Sequence, residues 1–207
     1  MRPNTAAYQA ILFDFYGVLA DSEPLHYACW REILEPFGFH LTWDDYAVNC
    51  IGVADREMIH ALCRLAGRDE LFDPVWNRYP HKKSLFRDRM ARDLPFPTAT
   101  RELLAALRQD YQLAVVSSSG RMEIEPALEA AGVRPYFATL VTGEDVANWK
   151  PSPEPYQTAA RRLSVDRALV VEDSDAGVAS GLAAGFDVVR VASANAVAET
   201  VRQHLRG

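Results

Sequence analysis

Five short apolar runs, interleaved with stretches of helical periodicity, constrain this chain of 207 residues more than any other feature. The runs are "YQAILFDF" (8–15), "QLAVVS" (112–117), "FATLV" (137–141), "RALVVED" (167–173) and "DVVRVA" (187–192). Each is too short for a helix and reads as a strand, the first stopped by Gly17. Helical stretches at 98–109, 121–131, 153–163, 175–184 and 194–205 alternate with them. The alternation predicts an α/β fold: a doubly wound parallel sheet, covered on both faces and joined by right-handed crossovers.

Residues 20–92 break this rhythm. They carry helical periodicity without a strand signal, in "LHYACWREILEPFG", "DREMIHALCRLAG" and "PVWNRYPHKKSLFRDRMA". The segment reads as an inserted α-helical cap domain at 20–92, on an α/β core made of 1–19 and 93–207. "DLPFPT", with Pro95 and Pro97, looks like the return hinge, and Trp30, Trp43 and Trp76 read as core packing.

Composition narrows the partners. A net charge of −6 argues against nucleic acid or an anionic membrane, and an anionic substrate then needs a local cation. No apolar run approaches the ~20 residues needed to span a bilayer, and "MRPNTAAYQA" is too polar for a signal peptide. Cys29, Cys50 and Cys63 are odd in number and widely spaced, as reduced core thiols of a cytoplasmic protein are. A monomer or weak homodimer is expected.

Ligands of open α/β sheets bind beyond the carboxyl ends of the strands. Asp14 ends the first strand, Ser117-Ser118-Ser119 follow the second, and Glu172-Asp173 end the fourth, followed by Ser174-Asp175. Lys150 lies in "NWKPSPEPY", between the third strand and its helix. The carboxylates Asp14, Glu172, Asp173 and Asp175 would crowd one small volume and repel, and a hard divalent cation, Mg²⁺, relieves that conflict. Lys150 adds a fixed positive charge, and the serines offer donors to anionic oxygens. An acid, a magnesium site, a lysine and hydroxyl donors suit phosphoryl transfer through a covalent aspartyl intermediate. No Walker-type loop is present.

Four short motifs, in order at strand ends, resemble the haloacid dehalogenase (HAD) superfamily, in its β-phosphoglucomutase and sugar-phosphate phosphatase branch. They are "DFYGVLADSEPLH", "VVSSS", "KPSPEPY" and "VEDSDAG". The resemblance implies a Rossmann-like core, an Mg²⁺ cofactor and a small phosphorylated metabolite as substrate. It makes Asp14 the nucleophile and a metal ligand, with Glu172 and Asp173 as further ligands and Ser117 and Lys150 on the transferring phosphoryl group. The residue two after the nucleophile ligates the metal through its backbone carbonyl, so Tyr16 keeps that role. In the cap, "SEPLHYACWREIL" and "IGVADREMI" resemble the family's linker, first helix and substrate-reading loop. His26, Gly52 and Arg56 become candidate substrate contacts, together with Ser118 in the core. Lys82 or Lys83 would add a cation; as helix residues both otherwise read as a solvated face.

The family's phosphatases carry an aspartate as general acid and base where this chain has Tyr16. Three readings follow. The protein is a magnesium phosphohydrolase working slowly or on good leaving groups; or it binds a phosphorylated ligand without efficient turnover; or it is a 2-haloacid dehalogenase, an enzyme class that carries tyrosine there. Against the last stand the retained "VEDSDAG", Val18 after the glycine of the first motif, and no arginine in "LTWDDYAVN".

Overall fold

The structure is a computed structural model describing residues 8–51, 53–93 and 96–206. In chain order its elements are β1 (Ala10–Phe13), α1 (Glu23–Leu34), α2 (Trp43–Asn49), α3 (Asp55–Leu65), α4 (Phe72–Trp76), α5 (Tyr79–Asp93), α6 (Thr98–Leu107), β2 (Gln112–Val116), α7 (Arg121–Ala130), β3 (Thr139–Val141), α8 (Glu154–Leu163), β4 (Ala168–Glu172), α9 (Asp175–Ala183), β5 (Asp187–Arg190) and α10 (Val197–Arg206). They form two compact units, Met1–Asp21 with Leu94–Gly207, and Ser22–Asp93. Of the expected hinge, Pro95 lies outside the described residues, while Pro97 stands at the N-cap of α6.

The first unit is an α/β fold whose five strands run in the order β3-β2-β1-β4-β5, all parallel. Ala10 of β1 sits opposite Gln112 of β2 and Ala168 of β4, so β1 is central. Apolar residues fill both faces of such a strand, which is why its sequence is a continuous run rather than an alternation. Leu12, Val116 and Val170 pack on one face against Tyr156, Ala159 and Leu163 of α8. Ile11 and Phe13, pointing the other way, are equally buried. The chain leaves β3 at one edge and re-enters the sheet at β4, beside β1. That reversal opens a crevice beyond the ends of β1 and β4.

β1 is shorter than the eight residues its sequence suggested. Asp14 still donates its amide to Val171 O at 3.0 Å, but Leu19 and Ala20 then donate back to Phe15 O, closing a turn around Gly17.

The helical unit has its own core. Trp30, Ile33 and Leu34 of α1 meet Met58, Ile59 and Cys63 of α3 and Phe72 and Val75 of α4. The expected helix over 74–91 is two helices, because Pro80 lacks the N–H that a continuing helix would need at that point. A helix that sequence reasoning did not single out, α2, begins where Thr42 Oγ1 accepts the Asp45 amide at 3.1 Å. Trp43 departs from its expected core position and is 41% exposed. Cys29, Cys50 and Cys63 are buried free thiols. Among the described residues no helix is long and apolar enough to cross a membrane.

Candidate active site

The end of β1 delivers Asp14, and the end of β4 delivers Glu172 and Asp173. Ligand atoms of these three carboxylates lie within 4.8 Å of one another. Lys150, from the loop between β3 and α8, enters among them. Its Nζ donates to Asp14 Oδ1 at 2.5 Å, Glu172 Oε1 at 2.6 Å and Val116 O at 2.9 Å, which uses all three of its hydrogens. One ammonium thus ties together the ends of β2, β1 and β4.

Glu172 is fully buried and bonded on both oxygens. Tyr156 donates its hydroxyl to Oε1 at 2.8 Å, and Oε2 accepts the Asp173 amide, the Ser174 amide and the Ser174 hydroxyl. Tyr156 therefore belongs to the site although sequence reasoning gave it no role; its signals were a place on the apolar face of α8 and the last position of "KPSPEPY", six residues beyond Lys150. Ser174 also caps α9 by accepting the Gly177 amide at 3.0 Å. Asp175, expected near the carboxylates, instead pairs with Arg190 at 2.6 Å with its side chain 91% exposed. It falls in the first turn of α9, past the point where the chain has turned outward.

The electrostatics follow from burial. Burial pushes the Asp14 carboxyl up to about 7, helped by Glu172 and Asp173 and opposed by Lys150. Burial also raises Asp173, with Glu172 adding to it. For Glu172 burial works the same way, but Lys150 and Tyr156 prevail and hold it below the usual carboxylate value. Burial disfavours the Lys150 charge, and Asp14 and Glu172 more than offset it.

Fully ionised, three carboxylates against one ammonium would leave two negative charges in this cluster, the charge a divalent cation would balance. Among the described residues, the Asp173 carboxylate accepts no side-chain hydrogen bond, and one of its oxygens lies in the cluster. Gly17, at φ +75°, makes room for it: a Cβ there would collide with the Asp173 carboxylate. The residues fit a hard, oxygen-liganded ion such as Mg²⁺.

Ser117 is buried behind β2, its amide on Val141 O and its Oγ accepting the Ser119 amide at 3.2 Å, while Ser118 is exposed. Tyr16 does not join the carboxylates through its ring. Its hydroxyl donates to Glu123 in the first turn of α7. Burial, then the Glu123 charge, drives the phenol far above its ordinary range of acidity. The Glu123 partnership had no signal in the sequence.

In the helical unit, His26 meets Lys82. Lys82 is only 2% exposed, not the solvated side chain expected of it. Its Nζ lies 2.8 Å from His26 Nδ1 and 3.3 Å from Asp55 Oδ2, and Asp55 Oδ1 accepts Trp30 Nε1 at 2.8 Å. A lysine only donates, so Nδ1 accepts and the ring proton sits on Nε2. Arg56 is exposed, 4.9 Å over the Phe72 ring, and Lys83 is exposed beside Tyr79. Gly52 lies outside the described residues.

Comparison with known proteins agrees with this geometry. The model of the haloacid dehalogenase-like hydrolases matches residues 11–191. A phosphorylated carbohydrates phosphatase of Thermotoga maritima is 31% identical over 86% of this chain and 82% of its own length. The fructose-1-phosphate phosphatase YqaB of Escherichia coli is 29% identical over 89% of this chain and 96% of its own. The structure of CbbY from Rhodobacter sphaeroides in complex with phosphate is 27% identical, covers 89% of this chain and 87% of its own, and superposes with a TM-score of 0.62.

Proposed function

Since the chain belongs to the haloacid dehalogenase-like hydrolases, in the branch of phosphatases and β-phosphoglucomutase-like proteins, we propose that it is an Mg²⁺-dependent phosphohydrolase of a small phosphorylated metabolite. The observation that carries this reading is the convergence of Asp14, Glu172, Asp173 and Lys150, which fully ionised would leave two negative charges uncompensated. A phosphatase relative that reads phosphorylated sugars supports the substrate class.

Asp14 is the nucleophile. One of its carboxylate oxygens forms a bond to phosphorus as the bond to the leaving oxygen breaks, and water then hydrolyses the aspartyl phosphate. Lys150 holds Asp14 in place and adds positive charge beside the phosphoryl oxygens, and Ser117 supplies a hydroxyl. Asp14, Asp173 and the Tyr16 carbonyl would hold the metal, and Glu172, its oxygens taken by protein donors, acts chiefly by fixing Lys150 and the 173–174 turn. When bound, Mg²⁺ neutralises phosphate charge and orients the group for in-line attack. Substrate selection we assign to the helical cap, with His26, Gly52, Arg56 and Lys83 as its contacts, and to Ser118.

The test is phosphate release from p-nitrophenyl phosphate and a panel of sugar phosphates, with Mg²⁺ and with EDTA, beside chloride release from 2-chloropropionate. Metal-dependent phosphate release lost in Asp14→Asn supports the reading. Chloride release indifferent to EDTA overturns it in favour of a dehalogenase.

A further inference from the structure

Lys150 is the one lysine in the sequence of the α/β unit; Lys82 and Lys83 belong to the helical unit. Two carboxylates compete for its ammonium, Asp14 Oδ1 at 2.5 Å and Glu172 Oε1 at 2.6 Å. A group that takes up part of the Glu172 charge therefore sets how much of the ammonium is left to Asp14. Tyr156, fully buried on α8, is such a group, and it meets Lys150 as well. Its hydroxyl donates to the same Glu172 oxygen at 2.8 Å. The Lys150 nitrogen lies over its ring, 5.1 Å from the centre, within reach of a cation–π contact.

The other Glu172 oxygen, Oε2, accepts the Asp173 amide, the Ser174 amide and the Ser174 hydroxyl. The two oxygens thus serve different partners: Oε1 the lysine and Oε2 the turn that carries Asp173. We propose that Tyr156 is a positioning residue for Lys150, its hydroxyl dividing the ammonium between Asp14 and Glu172 and its ring lying under the ammonium, and that it acts on phosphoryl transfer without acting on metal binding. The kinetic half rests on the phosphohydrolase reading above; the placement of Lys150 does not. Without the hydroxyl, the full Glu172 charge bears on Lys150 in a buried setting, where such forces are strong, and draws the ammonium off Asp14. The nucleophile then loses its tether, and the positive charge is no longer aimed at the phosphoryl oxygens. Asp173 stays where Oε2 holds its turn.

With three lysines in the sequence, labelling lysine with nitrogen-15 gives a direct view of this ammonium by NMR. Full-length wild type, Tyr156→Phe and Tyr156→Leu are compared, the Lys150 signal being the one lost in Lys150→Arg. Phosphate release from p-nitrophenyl phosphate and Mg²⁺ binding by calorimetry are measured on the same proteins. The wild-type signal is expected to be shielded by the ring. Tyr156→Phe is expected to keep that shielding but to move the signal as the hydrogen bonds are shared anew. Its kcat is expected to fall ~10–100-fold, as for other partners that orient the groups of a metal site, with KM and Mg²⁺ affinity close to wild type. Tyr156→Leu is expected to lose the shielding as well. A Tyr156→Phe protein whose Lys150 signal or kcat matches an active wild type overturns the inference, because the tyrosine then only fills space. Mg²⁺ affinity that falls in proportion to kcat also overturns it, since Tyr156 then acts through the turn at Asp173. If wild type releases no phosphate, the phosphohydrolase reading fails, and the NMR comparison alone decides whether Tyr156 places Lys150. Should Tyr156→Leu not fold, Tyr156→Phe, which keeps the ring, carries the test.

Discussion

The Lys150 ammonium stands 2.5 Å from Asp14 Oδ1, and the same nitrogen stands 2.6 Å from Glu172 Oε1. One cation thus serves two carboxylates carried by different strands. Lys150→Met leaves both acids without their shared partner in a buried site and is expected to cost about 3–5 kcal/mol in urea unfolding with EDTA present. Added Mg²⁺ is expected to recover part of that loss, because an ion binding only the folded state raises stability by mass action. Phosphate release is expected to fall below detection in the variant either way.

Glu172→Gln keeps the shape but sets an NH₂ against donors on one side and removes a charge that no water reaches. Its oxygens orient Lys150, Tyr156 and the Ser174 turn. Metal affinity measured by calorimetry is expected to drop about 10–100-fold, as for other residues that orient ligands. A loss of all detectable binding would make Glu172 a direct ligand.

Gly17→Ala sets a methyl group where the Asp173 carboxylate lies, at φ +75°. Gly132→Ala is the control: its φ is +70°, and a Cβ there meets nothing within 4 Å. Both are expected to pay the left-handed strain of about 1–2 kcal/mol. Only Gly17→Ala is expected to lose metal binding in titration calorimetry, since only there is Asp173 displaced.

The helical unit is expected to weaken in acid through His26. Burial, then the Lys82 ammonium, hold its pKa down to about 4, against a usual 6.5. As pH falls from 6.5 towards 4, the unfolded chain takes up the proton first, so stability is full above that window and is lost within it. The loss is at most about 3 kcal/mol. Urea midpoints across that range should flatten in His26→Gln. In Lys82→Met the His26 titration followed by NMR should move upward.

Asp55 accepts both Trp30 Nε1 and the buried Lys82 ammonium. Asp55→Ala strands that charge among aromatic rings, with the Lys82 nitrogen 5.0 Å from the Trp30 ring centre. A loss of about 3–5 kcal/mol is expected, read by unfolding followed at Trp30 fluorescence. The paired change Asp55→Ala with Lys82→Met is expected to lose less than the first alone.

What the sequence disclosed depended on range. β1 and β4 were legible because a strand buried on both faces writes itself as one apolar run, and the meeting of Asp14 with Glu172 was legible because strand ends are where this sheet collects chemistry, whereas Lys150 was read from its place in a strand-to-helix loop. α2 was hidden because "WDDYAVN" is only seven residues long with a fully outward Val48, 82% exposed, and its start depends on one threonine hydroxyl. Lys82 read as solvated because its partners, Asp55 and His26, lie 27 and 56 residues away on other helices. Separation in sequence, of 107 and 16 residues, also concealed Glu123 from Tyr16 and Tyr156 from Glu172. Asp175 looked like a fourth acid by adjacency alone, and one helical turn sends it to Arg190.

The nucleophile and the lysine beside it belong to parts of the molecule with different resistance to opening. Asp14 continues the central strand, bonded on both sides, and should exchange its amide only when the whole unit comes apart. Lys150 rides an irregular connection whose ties include Glu154 to the Ala147 and Asn148 amides and Trp149 to Gly143 O. Loosening those few ties would disarm the enzyme by withdrawing its cation while the strand ladder stays paired, and the two acids left behind would carry the cost in stability.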